Sequence, residues 1–157
     1  MSVALSVPER TFAVRRAAAR FCALRGWAPL SEVPLPSGRR ADILALTPDG
    51  RFLILEVKSC ARDFLADRKW PDYRDFCDAL YFAVDPDFPQ ELLPEDVGLV
   101  VADRQDSALL REAPVHLLAP ARRRALMQRY AMLAATRLAA QDDPAGFAER
   151  RAALSAE

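Results

Sequence analysis

Four residues in this sequence are spaced to do chemistry together: Asp42 near the start of one apolar run, and Glu56-Val57-Lys58 at the end of the next. Side chains alternate faces along a strand, so Glu56 and Lys58 share a face while Val57 points into the opposite layer. Asp42 joins them only if the hairpin is paired about Asp49, so that opposed residue numbers sum to 98 and Asp42 faces Glu56. A loop with an even number of residues would set Asp42 against Leu55, on the wrong side. Two carboxylates opposed on neighbouring strands repel unless a cation lies between them. Hard oxygen ligands with room left for water and phosphate suit Mg²⁺ or Mn²⁺, and the main-chain carbonyl of Val57 offers a third oxygen. Such an ion polarises a phosphodiester and activates a water, and Lys58 orients that water or stabilises the charge developing on phosphate. The expected metal set is therefore Asp42, Glu56 and Val57, and the expected catalytic set Asp42, Glu56 and Lys58. The competing explanation is a surface hairpin with Glu56 and Lys58 solvated, since an ExK triplet alone carries little weight. Against it, both acids lie at strand ends, and Leu-Ile-Leu precedes Glu56 as in a buried strand.

The elements that must position these residues are legible from periodicity. Ser6 with Glu9 three residues on is a capping box, and Val14, Ala17, Ala18, Phe21 and Leu24 then recur at helical spacing, so a helix is expected over 8–25, stopped by Gly26. Strands are expected at Leu30–Leu35, Ala41–Leu46, Phe52–Val57, Leu80–Val84 and Val97–Ala102, with a shorter one at Val115–Ala119. Thr47-Pro48-Asp49-Gly50 is a hairpin turn. Residues 61–69 form a short helix or loop, Pro71–Ala79 a helix, and Pro120 opens a helix reaching about Ala140. The order α-β-β-β-α-β-β-α describes a mixed α/β domain over residues 1–141, with 142–157 as a C-terminal tail holding a short helix.

Composition removes several classes. The chain has 157 residues, enough for a real core, and no apolar run long enough to span a bilayer. Met1–Pro8 lacks the basic start and apolar stretch of a signal peptide. Three widely spaced cysteines (Cys22, Cys60, Cys77) and a single histidine, His116, do not support a disulfide scaffold or a Cys/His zinc site. The cysteines read as small core hydrophobes and His116 as a satisfied core residue. A soluble protein of a reducing, cytoplasmic compartment is expected. The 22 basic and 22 acidic residues cancel, but unevenly: residues 9–40 carry +5, residues 41–119 carry −8, and residues 120–151 carry +4. Basic ends that fold to one side would bind a polyanion; the alternative is that these arginines are solvated helix faces. A neutral total argues against tight, non-specific DNA binding. No Gly-rich phosphate loop follows any strand, so a dinucleotide enzyme is a weak third class.

The order helix, strand, strand with Asp, strand with ExK, helix, strand resembles the core of the PD-(D/E)XK nuclease superfamily. More closely, Glu32 to Asp103 is similar to the bacterial MmcB-family DNA repair proteins, on GRRADILAL, LEVKSCARDFLADRKWPDYRDFCDALYFAV and VGLVVAD. The DxxxDRKWPDY string within it is far more specific than ExK. The resemblance implies a restriction-endonuclease-like core, a mixed central sheet flanked by helices, with Asp42, Glu56 and Lys58 in the superfamily's metal and catalytic positions. Ala41 stands where the superfamily usually has Pro. It implies a DNA repair protein with a metal-dependent phosphodiesterase core that takes Mg²⁺ or Mn²⁺. DNA, and a repair polymerase or other repair proteins, would be its partners, without a membrane. The alternative is a catalytically inactive DNA-binding or adaptor protein of the same fold.

Secondary residues each carry two readings. Glu9 either helps hold the metal or completes the capping box, which fits better. Arg39 and Arg40 clamp a phosphate or simply end a polar turn. Trp70 and Tyr73 stack on a base or anchor their helix to the sheet, and Lys69 supplies a second cation near the cleft. Arg122, Arg123 and Arg124 crowd the positive end of a helix, a conflict that phosphate or an acidic segment would remove.

Overall fold

The structure, a computed structural model, describes residues 5–156; residues 1–4, which begin the stretch read above for a signal peptide, and residue 157 lie outside it. Contacts divide the chain into two units, Met1–Ala119 and Pro120–Glu157. In the first, α1 (Val7–Leu24) starts on the expected capping box: Glu9 Oε2 accepts from the Ser6 N–H at 2.9 Å and from its hydroxyl at 2.7 Å. It ends in a Schellman arrangement, with Gly26 at φ +74° and the Trp27 N–H bonded to Cys22 O at 2.9 Å. Val14, Ala17, Ala18, Phe21 and Cys22 form its buried stripe.

The sheet has six strands in sequential order: β1 (Ala28–Pro34), β2 (Arg40–Leu46), β3 (Phe52–Lys58), β4 (Ala79–Val84), β5 (Gly98–Ala102) and β6 (Ser107–Arg111). β1–β2, β2–β3 and β5–β6 are antiparallel, while β3–β4 and β4–β5 are parallel. The β2–β3 hairpin closes at Thr47, whose N–H bonds Arg51 O at 2.9 Å, leaving Pro48, Asp49 and Gly50 as the loop. Gly50 sits at φ +83°, the left-handed position that a three-residue hairpin loop demands. The loop is odd, so Ile43↔Leu55, Leu44↔Ile54, Ala45↔Leu53 and Leu46↔Phe52 are paired, and every pair sums to 98.

That register sorts the two faces. Ile43, Ala45, Leu53, Leu55, Val57, Ala79, Tyr81 and Ala83 pack with α1. The opposite face is covered by α2 (Ala61–Ala66) and a 3₁₀ turn at Trp70–Phe76: Phe64 and Trp70 meet Phe82 edge-on, with ring centroids 5.4 and 5.3 Å away. β3 is buried along its whole length.

Four expectations need correction. The Pro71–Ala79 helix is the shorter 3₁₀ turn, because Asp78 must be extended to bond Phe52 O through its N–H at 2.7 Å and launch β4. The sixth strand is Ser107–Arg111, not Val115–Ala119. Asp103 closes a tight turn by accepting from the N–H groups of Gln105 and Asp106, and the returning half-exposed strand takes the β5 edge. Residues 115–119 therefore do not take that edge, and run across Asp78 instead. His116 is exposed there, its ring nitrogen 3.2 Å from Arg74 O, so it is not a core residue. Cys22 and Cys77 are buried as expected, whereas Cys60 is half-exposed at the start of α2.

The second unit holds α3 (Pro120–Asp142) and α4 (Pro144–Ser155), the latter capped by Asp143 through Gly146 N. Among the described residues, Leu126 is the residue α3 buries. Among the described residues, no helix is long and apolar enough to cross a membrane.

Asp78 ties the ends of the first unit together. Fully buried, its carboxylate accepts from Phe52 N at 2.7 Å and Leu118 N at 2.8 Å, and its carbonyl accepts from His116 N at 2.7 Å. Removing the carboxylate orphans two buried N–H groups, each costing about 1–3 kcal/mol. Asp78→Ala should therefore lower unfolding stability by about 3 kcal/mol in urea titrations; a loss below about 1 kcal/mol would show that the clamp is not needed.

Candidate active site at the ends of β2 and β3

The β2–β3 ladder stops at Ile43/Leu55, and beyond it the side chains take over from the backbone. Glu56 Oε1 accepts from Asp42 N at 3.0 Å, and Asp42 Oδ2 accepts from Val57 N at 2.8 Å. The expected opposition of Asp42 and Glu56 is thus present, and each carboxylate satisfies an N–H of the other's neighbourhood. Glu56 is only 4% exposed, and Lys58 9%. Burial first, and then the charge of Asp42, push the Glu56 carboxyl well above its ordinary range, with the Asp42 N–H and the Lys58 charge opposing in part.

Lys58 shares this face, and its Nζ is 2.8 Å from Asp67 Oδ2. Burial would raise the Asp67 carboxyl, but the Lys58 hydrogen bond and charge outweigh it and hold the group below its usual value. Asp67 also accepts from Lys69 N at 3.0 Å, so it fixes both Lys58 and the approach to the 3₁₀ turn. This positioning role was missed; the signal was the Asp of the Asp-Arg-Lys-Trp string.

Tyr73 lies against the pair. Its hydroxyl donates to Arg40 O at 3.0 Å, and burial, followed by the Glu56 charge, pushes its pKa up to about 12. At 5% exposure its ring is closed to a base, so it anchors the 3₁₀ turn; Trp70, half-buried against Phe82, does the same. Arg39 lies 5.5 Å over the Tyr73 ring and 3.4 Å from Asp72, while Arg40 reaches Glu32 at 3.7 Å. Lys69 is exposed near this edge. Arg122, Arg123 and Arg124 do fall in the first turn of α3, in the second unit. Glu9 is held by Ser6 on α1, whose buried stripe covers the other face of the sheet.

Among the described residues, no group of three or more His, Cys, Asp or Glu side chains gathers as a metal cluster. Glu32 shows why a third acid is missing. The β1–β2 register sets it opposite Asp42, between Ser31↔Ile43 and Val33↔Ala41, but its backbone is left-handed at φ +52° and its carboxylate lies 2.8 Å from Arg15 of α1. The remaining donors are one carboxylate oxygen each from Asp42 and Glu56 and the Val57 carbonyl, which leaves the strand on the same edge as the Val57 N–H. Two carboxylates with space for water and phosphate suit a small hard cation such as Mg²⁺.

The raised Glu56 pKa has a pH consequence. Between the ordinary carboxylate value of 4.5 and its own folded value, Glu56 keeps a proton that the unfolded chain has lost, so folding stability falls as pH rises through that window. Glu56→Gln lacks this loss. In chelator, the melting temperature of the variant minus that of the wild type should grow from pH 4.5 to pH 8; a difference that stays flat or shrinks would contradict a raised Glu56.

Two comparisons with known proteins find relatives, one by structure and one by family. No curated protein matches the chain. A solved structure, the SPO1766 protein of unknown function from Silicibacter pomeroyi, superposes with a TM-score of 0.81 at 41% identity, covering 92% of this chain and 97% of that one. It shares the α/β fold with its mixed sheet flanked by helices. The family described as DNA repair protein MmcB-like matches residues 3–145. With that match spanning nearly all of the first unit and α3 of the second, the chain belongs to the MmcB-like family of DNA repair proteins.

Proposed function

We propose that the protein is a metal-dependent DNA phosphodiesterase with a restriction-endonuclease-like core of the PD-(D/E)XK type. The observation that carries this reading is the reciprocal Asp42–Glu56 arrangement at the end of two buried strands, with Lys58 on the same face. A buried acid beside a second acid is costly for the folded chain, and such costs concentrate at functional sites. Asp42, Glu56 and the Val57 carbonyl would hold Mg²⁺ or Mn²⁺, which supplies a Lewis acid for a phosphodiester oxygen and neutralises charge forming there. Lys58, held in place by Asp67, donates toward the oxygen on which negative charge develops as water adds to phosphorus and the bridging P–O bond breaks. Arg39, Arg40 and Lys69 lie along the same edge, as cations for the flanking phosphates. Membership of a DNA repair family supports DNA as the substrate and other repair proteins as partners.

A second reading, a catalytically silent DNA-binding or adaptor protein, is favoured by one specific feature: the Lys58 ammonium is paired with Asp67, and among the described residues no third acid joins Asp42 and Glu56.

Branched, single-stranded and duplex DNA incubated with Mg²⁺ or Mn²⁺ separate the two. Cleavage should appear, cease in EDTA, and fall by about 10²–10³-fold in Asp42→Ala, Glu56→Ala and Lys58→Ala. Mn²⁺ should raise the melting temperature of the wild type and not of Glu56→Gln. Cleavage that survives in Glu56→Ala and Lys58→Ala would overturn these roles; binding without cleavage would establish the adaptor.

A further inference from the structure

Residues 9–40 carry seven arginines, and five of them have found an acid: Arg10 with Asp85, Arg15 and Arg40 with Glu32, Arg25 with Glu112, and Arg39 with Asp72. Arg16 and Arg20 have not. They stand four residues apart on α1 with Phe12 four residues earlier, so the three form one stripe, away from the helix's buried side. The Arg20 guanidinium donates to Arg104 O at 3.2 Å, which draws the β5–β6 turn alongside the helix and brings the Arg104 side chain to the same place. Helix and turn enclose an open groove of about 520 Å³ lined by Phe12, Arg16, Arg20 and Arg104, together with Pro8 and Glu9.

Glu9 also lines the groove and feels the Arg104 charge, but three guanidinium groups against one carboxylate leave the groove net positive. None of the three arginines is ion-paired with a carboxylate among the described residues. Glu9 is engaged by Ser6, and Asp103 of the neighbouring turn is engaged by its own backbone N–H groups. Phe12 is 51% exposed, with the guanidinium carbons of Arg15 and Arg16 at 5.5 and 5.6 Å from its ring centre. An excess of cations attracts a polyanion, and a half-exposed ring among guanidinium planes suits flat bases better than an acidic peptide.

We propose that this groove holds a strand of single-stranded nucleic acid, its phosphates on Arg16, Arg20 and Arg104 and a base against Phe12. α1 covers the face of the sheet opposite Asp42, Glu56 and Lys58, so the groove is a separate contact from the carboxylate site. It rests on the proposed function only for the choice of nucleic acid as the polyanion.

The test is fluorescence anisotropy of labelled oligo-dT with the full chain in EDTA, which reads binding without cleavage. Arg16→Glu/Arg104→Glu should weaken binding at least about 10-fold and flatten the slope of log K against log salt by about 1.4. Phe12→Ala should weaken it about 5- to 100-fold. Arg150→Glu/Arg151→Glu, the same charge change placed on α4, should stay within about threefold. Circular dichroism melts of each variant confirm folding, and Arg16→Gln provides a milder second probe. Equal losses in both double variants, no loss in Phe12→Ala, or displacement of oligo-dT by polyglutamate at lower concentration than by unlabelled oligo-dT would overturn the groove. Binding that behaves as expected while no DNA is cut leaves the groove standing and removes only the phosphodiesterase; cleavage with binding unmoved by Arg16→Glu/Arg104→Glu does the reverse.

Discussion

An odd hairpin loop is the constraint on which the candidate site depends. Thr47 and Arg51 close three residues, Gly50 supplies the left-handed backbone, and the register that follows puts Asp42 across from Glu56. A shift of one residue would carry Asp42 to the α1 face, into the layer of Leu53, Leu55 and Val57 where a carboxylate has no partner. The same register sends Ile43 and Leu55 toward α1 and Leu44 and Ile54 toward the other layer. The hydrophobic core and the carboxylate pair are therefore specified by one geometry, and neither can slip without the other.

The two acids also act as backbone. Where the β2–β3 ladder ends, Asp42 N and Val57 N would lack strand partners, and the carboxylates accept from both. The opposite end of β3 uses the same device, with Asp78 accepting from Phe52 N and Leu118 N. β3 is thus a buried strand closed at each end by a carboxylate. The difference lies in the surroundings. Asp78 stands alone with two N–H donors, which makes it a clamp. Glu56 stands beside a second acid and an ammonium, so burial and the charge of Asp42 raise its pKa, and that end is the candidate site.

Electrostatics explain why a chain with no net charge still bears local fields. Five of the seven arginines of residues 9–40 pair with acids, three of them with acids from the middle of the chain, as in Arg10 with Asp85 and Arg39 with Asp72. The more exposed of these pairs contribute little stability, at most about 1 kcal/mol each, whereas Asp85 is buried where Arg10 meets it. The larger effect of the pairs is to cancel charge over much of the surface, which leaves the cations along α1 and the β5–β6 turn as a local positive field.

Much of this was readable in advance because it is local. The capping box at Ser6 and Glu9, the buried stripe of α1, the Pro-Asp-Gly loop and the alternation of β2 and β3 are all patterns within a few residues, and they determine helix, turn, register and face without any distant contact. The pairing of Asp42 with Glu56 belongs here, since it follows from loop parity alone. Other features depended on competition between distant segments. Ser107–Arg111 and Val115–Ala119 both had strand character, and the edge of β5 accepted only one. Tyr73 could face a base or the sheet, and Arg40 O and the buried acids drew it inward. Lys58 found Asp67 nine residues on. Glu32 stood in register with Asp42 yet turned to Arg15, and that choice separates a two-acid site from a three-acid one. Sequence determined the periodic and the adjacent; only the folded chain decided which charge met which, because those pairings are settled by distances that exist after the sheet and helices have packed.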